Sequence, residues 1–101
     1  MNGNPRSIGA EMSRLVTSEA IRAAYENIAL LECERREKLN KNTANSDWFD
    51  ARNKNLKVMK ETMSILLEID YWQIDMKVNN VADELESTGQ YARFKQIIGM
   101  K

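Results

Sequence analysis

The sequence predicts an all-α fold: a long antiparallel helical hairpin followed by a short C-terminal helix, closing as a dimer into a four-helix-type bundle. Three observations lead there. Pro5 is the only proline and glycine occurs only as Gly3, Gly9, Gly89 and Gly99, so both common helix breakers are missing from the interior. Apolar residues recur at steps of three and four over most of the chain. One polar stretch, NKNTANSD at residues 40–47, interrupts that rhythm with side chains that compete for backbone hydrogen bonds.

Each element follows in order. Residues 1–7, with Asn, Gly and Pro in MNGNPR, are expected to form a flexible leader, with Ser7 as a cap. The single helical domain is expected over 8–101. Helix 1 is placed at about 8–40 because Met12, Leu15, Val16, Ala20, Ala23, Ala24, Leu30 and Leu31 share one broad face, with Thr17 as a point where it could bend. Helix 2 is placed at about 47–86, capped by Ser46 and opened by Asp47 and Asp50 in the first turn, where carboxylates oppose the positive end of the helix dipole. Its main face carries Leu56, Met59, Met63, Leu66, Leu67, Ile74, Val78, Val81 and Leu85. ESTG ends it, and helix 3 follows at about 89–98, stopped by Gly99.

Helix 2 carries a second apolar row. Val58, Thr62, Ile65, Ile69, Trp72 and Met76 follow steps of four and three, the heptad rhythm of a helix seam. This row lies well away from the main face, so one antiparallel neighbour leaves it uncovered. Helix 3 is too short to cover it. Ile65, Ile69, Trp72 and Met76 are therefore expected to meet a partner, together with Tyr91 and Phe94 of the C-terminal helix, and aromatic anchors such as Trp72 suit that role. The partner is expected to be a second copy, another protein, or both.

A turn centred near residue 43 or 44 makes facing positions sum to about 87, which opposes Leu56 to Leu31 and Leu66 to Ile21 and lets helix 2 outrun helix 1. Asp70 then falls on the apolar face, where a bare charge is costly, so it is expected to be paired and to fix register with Arg14 and Arg22 a turn away.

The composition bears on function mainly by exclusion. Fifteen basic and fifteen acidic residues cancel, leaving no overall field toward nucleic acid or an anionic surface. No histidine is present, which removes the usual catalytic triads, most zinc sites and the common general base. No glycine-rich phosphate loop occurs. No catalytic residue, cofactor, metal or small-molecule substrate is therefore expected. Cys33, between Glu32 and Glu34, is expected to be an inert thiol and suits a reducing, cytoplasmic setting; no span of membrane length is present. Glu61, Glu68, Asp75 and Glu86 are expected to form a solvated stripe.

The resulting expectation is a helical protein-protein interaction module: an adaptor, chaperone-like subunit or inhibitor. The alternative is a nucleic-acid-binding regulator using the basic stretch 51–60, with Arg52, Lys54, Lys57 and Lys60, or the C-terminal helix.

Overall fold

The computed structural model describes the backbone of residues 5–99 and the side chains of residues 18–99. It contains four helices, α1 (Pro5–Lys41), α2 (Ser46–Leu67), α3 (Tyr71–Ser87) and α4 (Gln90–Ile97), with no strand among the described residues. The all-α expectation is met, but the long second helix is two helices. The path runs along α1, back along α2 and forward again along α3, so α3 lies parallel to α1 and packs chiefly against it. Contacts that climb both helices together show this: Lys77 lies over Tyr25, Cys33 meets Ala82, and Arg36 reaches Asp83 and Glu86.

Proline at the first helical position starts α1, where its missing N–H costs nothing. Pro5, Arg6 and Ser7, expected in the leader, are helical, and residues 1–4 lie outside the described residues. The helix also runs on through Thr17 without a restart. Its 37 residues give a rod of about 55 Å at 1.5 Å per residue, which accounts for the molecule's longest dimension of 60 Å. Asn42, left-handed at φ 53°, closes α1 while Thr43 N–H donates to the Lys38 carbonyl at 3.1 Å. The cap of α2 is Asn45 rather than Ser46: its side-chain oxygen accepts from Trp48 N–H at 2.9 Å, at the N3 position where such an oxygen reaches best.

The break between α2 and α3 is the main departure from the sequence reading. Glu68 turns left-handed at φ 55° and ψ 44°, and Ile69 N–H donates to the Ser64 carbonyl at 3.1 Å. Nothing in the local sequence asks for this. Folding α3 back lets Ile74 and Val78 bury against α1 and α2, and Ala82 and Leu85 against α1 and α4. Each large aliphatic buried is worth about 1.5–3 kcal/mol, whereas one left-handed non-glycine residue costs about 1–2 kcal/mol, so burial wins.

The core has two parts. Tyr25, Ile28, Leu56, Met63, Ile74 and Val78 join α1, α2 and α3, while Ala29, Cys33, Ala82, Leu85 and Tyr91 join α1, α3 and α4. Gly89, left-handed at φ 78°, makes the joint between α3 and α4, as the sequence suggests, and Gly99 follows α4 at φ 73°. The expected overhang of helix 2 does not arise: Val81 and Leu85 are packed on α1 and α4.

Asp70 needs correction. It stands at the N-cap of α3, exposed, with no side-chain bond to the helix it precedes. Because the chain turns at this point, the residue that a continuous helix would bury is carried to the bundle's end. Arg22 is also exposed and pairs with Glu26, one turn on, at 3.9 Å; the side chain of Arg14 lies outside the described residues. Asp70 and Arg22 thus stand exposed rather than as a buried pair on the apolar face.

Charged groups of α1 clasp the other helices instead. Buried Glu32 accepts from Arg35 and Arg36, each Nε at 2.9 Å, and Arg36 extends to Asp83 at 2.7 Å and Glu86 at 2.9 Å on α3. Burial opposes the charge of Glu32, yet the two guanidinium groups outweigh it and hold the carboxyl below its ordinary range. Arg52 of α2 donates to the Leu31 carbonyl at 3.2 Å and to Glu34.

Candidate surface for partner binding

The apolar row that the sequence places apart from the core is left open by the fold. Ile65 is 76% exposed, Trp72 59%, Val58 53% and Met76 51%. Ile69 and Tyr71 at the elbow are also exposed. Helical geometry explains why. On α2 the inward residues are Leu56, Met63 and the half-buried Met59 and Leu67; Val58 and Ile65 stand two positions from Leu56 and Met63, about 200° round the helix. On α3, Trp72 and Met76 bear the same relation to Ile74 and Val78. Both pairs thus point away from α1, on the outside of the α2–α3 hairpin. Lys57, Glu61, Ser64, Ile65 and Tyr71 line a cleft of about 240 Å³ between the two helices on this side.

Polar contacts fix the hairpin under this surface. Lys60 Nζ donates to Asp75 Oδ1 at 2.6 Å and lies 5.7 Å from the centre of the Tyr71 ring. Ser64 Oγ donates to the Ile69 carbonyl, latching the elbow.

Tyr91 and Phe94 are placed differently. Tyr91 is buried in the chain's own core, its hydroxyl donating to Glu37 Oε1 at 3.1 Å, and Phe94 is half-buried beside it. Lys95 also pairs with Glu37. The Lys95 hydrogen bond is the main reason the Glu37 carboxyl is held down at about 2, and burial pushes the Tyr91 hydroxyl upward. Both aromatics serve to hold α4 on α1. The apolar groups that α4 leaves open are Ile97 and Ile98. Leu30, Leu31, Tyr91, Phe94 and Ile98, with Asn27 and Glu34, border a cleft of about 360 Å³ between α4 and α1.

Ala20 and Ala23 of α1 and Leu66 of α2, all placed on inward faces by the sequence, are exposed, Leu66 to 75%. For Leu66 the signal was present, since Leu66 and Leu67 are adjacent and diverge by about 100°, so only one of them can face inward.

The remaining chemistry is structural. Cys33 is fully buried, its thiol directed at the Ala82 carbonyl at 3.5 Å, and burial followed by the nearby Glu86 charge pushes its pKa up to about 12. The acidic stripe is divided, with Asp75 on Lys60 and Glu86 on Arg36. Among the described residues no group of His, Cys, Asp and Glu is arranged to hold a metal ion, and no helix is long and apolar enough to cross a membrane. Within the basic stretch, Arg52 is taken up by Glu34 and by the Trp48 ring 4.6 Å away, and Lys60 by Asp75. Lys54 and Lys57 stay exposed.

No protein-family model matches this chain, and no curated protein or solved structure is significantly similar to it.

Proposed function

We propose that the chain is a small helical protein-protein interaction module, an adaptor, chaperone-like subunit or inhibitor, that binds through the outside of the α2–α3 hairpin and performs no chemistry of its own. The observation that carries this reading is the exposure of Ile65, Trp72 and Met76 on one side of two helices whose opposite side forms the core. Single apolar residues scattered on a surface need no explanation, but several large ones on the outward side of the same two helices, a tryptophan among them, have the make-up of a binding hot spot. Fully burying an exposed side chain of this size is worth about 1.5–3 kcal/mol, so these three supply a sum comparable to the lower end of the cost of association, about 4 kcal/mol, and the rest of the interface must supply the remainder.

Binding of this kind works by occlusion or scaffolding, with a second copy or another protein laying an apolar helix face across the hairpin. The lone cysteine supports a cytoplasmic location.

The test is the paired substitution Ile65→Glu with Trp72→Glu. Both positions lie outside the core, so urea unfolding should shift by no more than about 0.5 kcal/mol per site. Association, followed by sedimentation equilibrium for self-contact and by quantitative co-purification from the native host for another protein, should fall at least about tenfold. Unchanged association in both assays would remove the outer face as the binding surface.

A further inference from the structure

The elbow between α2 and α3 is built against the chain's local preferences. Its residues, Glu68, Ile69 and Asp70, include neither glycine nor proline, and Glu68 occupies the left-handed region at φ 55°. The row Val58, Thr62, Ile65, Ile69, Trp72 and Met76 keeps its steps of four and three straight through the bend, a spacing that becomes a single stripe only on a continuous helix. Short, strained connections of this type invite exchange of elements between copies. The contact that holds the hairpin is also symmetric about the elbow: Lys60 and Asp75, 2.6 Å apart, are equidistant in sequence from the midpoint between Leu67 and Glu68.

We infer that α2 and α3 join into one helix over residues 46–87 in a second form of the protein, and that two copies in this form exchange their α3–α4 arms. The occupant of each α1–α2 groove is then the α3–α4 arm of the other copy. With two such helices laid antiparallel across a two-fold axis at the elbow, Lys60 of each copy faces Asp75 of the other. The packing of α3 and α4 on α1 and α2 is remade between chains. The exchange relieves Glu68 of its left-handed geometry. It moves Ile69 N–H from the Ser64 carbonyl to that of Ile65 and gives the first N–H groups of α3 the intrahelical acceptors they lack at a helix start. The Ser64 latch on the Ile69 carbonyl is what the closed form sets against this. None of it requires the outer face to bind anything.

Charge reversal across the contact tests the exchange. Lys60→Glu alone, or Asp75→Lys alone, sets two like charges together within a chain. In an exchanged dimer made of one copy of each variant, both contacts carry opposite charges. The two variants, unfolded together in urea and refolded, should give a heterodimer favoured roughly fivefold or more over either homodimer by native mass spectrometry. Adding Glu68→Gly to both should lower the dimer fraction roughly tenfold, because glycine accepts the bend and weakens the straight helix. The chain carrying both reversals restores the pair internally, and its circular dichroism reports whether these side chains tolerate folding. If the single variants do not fold, the wild type refolded at high concentration carries the test: a dimer lost on Glu68→Gly supports exchange, and a monomer at every concentration overturns it. A dimer abolished by Trp72→Glu but indifferent to Glu68→Gly also overturns exchange, while leaving the outer-face reading intact.

Discussion

Cys33 is enclosed by α1 and α3, and its surroundings make it a packing residue. The thiol has no solvent contact, and raising its pKa to about 12 leaves almost no thiolate near neutral pH. Reaction with a disulfide reagent should therefore be at least about a hundredfold slower than for a free thiol and should track unfolding as urea is added. A fast reaction in the native protein would contradict the burial. Of the two carboxylates beside it in sequence, Glu32 adds only a small upward push, while the larger causes, burial and Glu86, like its partner the Ala82 carbonyl, depend on a parallel α1–α3 contact that no local pattern encodes. Trp48 shows the same division. Its place after the turn follows from the sequence, but its position between Lys38, at 5.4 Å, and Arg52, at 4.6 Å, requires α1 and α2 to be side by side.

Among the elements, α4 depends most visibly on pH. It has eight residues, too few to be stable alone, and is fastened to α1 through Glu37, which takes Lys95 and the Tyr91 hydroxyl. The Glu37 carboxyl is held at about 2 in the folded chain against an ordinary value of 4.5. A folded-state value below the unfolded one means that this stabilisation is complete above about pH 5 and drains away as pH falls toward 2. Glu32, also lowered, contributes in the same direction. Urea midpoints should decline between pH 5 and 2.5, and Glu37→Gln should make that decline shallower; an equal slope in the variant would remove Glu37 from the account. The α2–α3 elbow marks the limit of periodic reasoning. The face of Leu56, Met63, Leu67, Ile74, Val78 and Leu85 was identified correctly although the helix carrying it bends, because both halves pack their own stretch of it. The bend itself arises from burial between segments distant in sequence, so no turn residue announces it.

For the whole molecule, the relevant contrast lies between two isoleucines. Ile74 is fully buried where α1, α2 and α3 meet, and Ile65 stands outside. Ile74→Ala should cost about 2–5 kcal/mol in urea unfolding, and Ile65→Ala under about 0.5 kcal/mol. Comparable losses at the two positions would mean that the outer face is covered within the chain. The open outer row was foreseen correctly, since a heptad rhythm beside a core face holds whether the helix is straight or bent. Burial of Tyr91 was not, because assigning it requires knowing that α4 folds back onto α1.

Most of the charged clasps described above have one end on α1: Arg36 to α3, Glu34 to α2 and Glu37 to α4. That helix is a mast to which the other three are lashed, while α2 and α3 are tied to each other through Lys60 and Asp75. A fragment cut free of the mast keeps the sequence of its helices but loses most of what aligns them, so the chain should melt as a unit rather than shed its parts one by one.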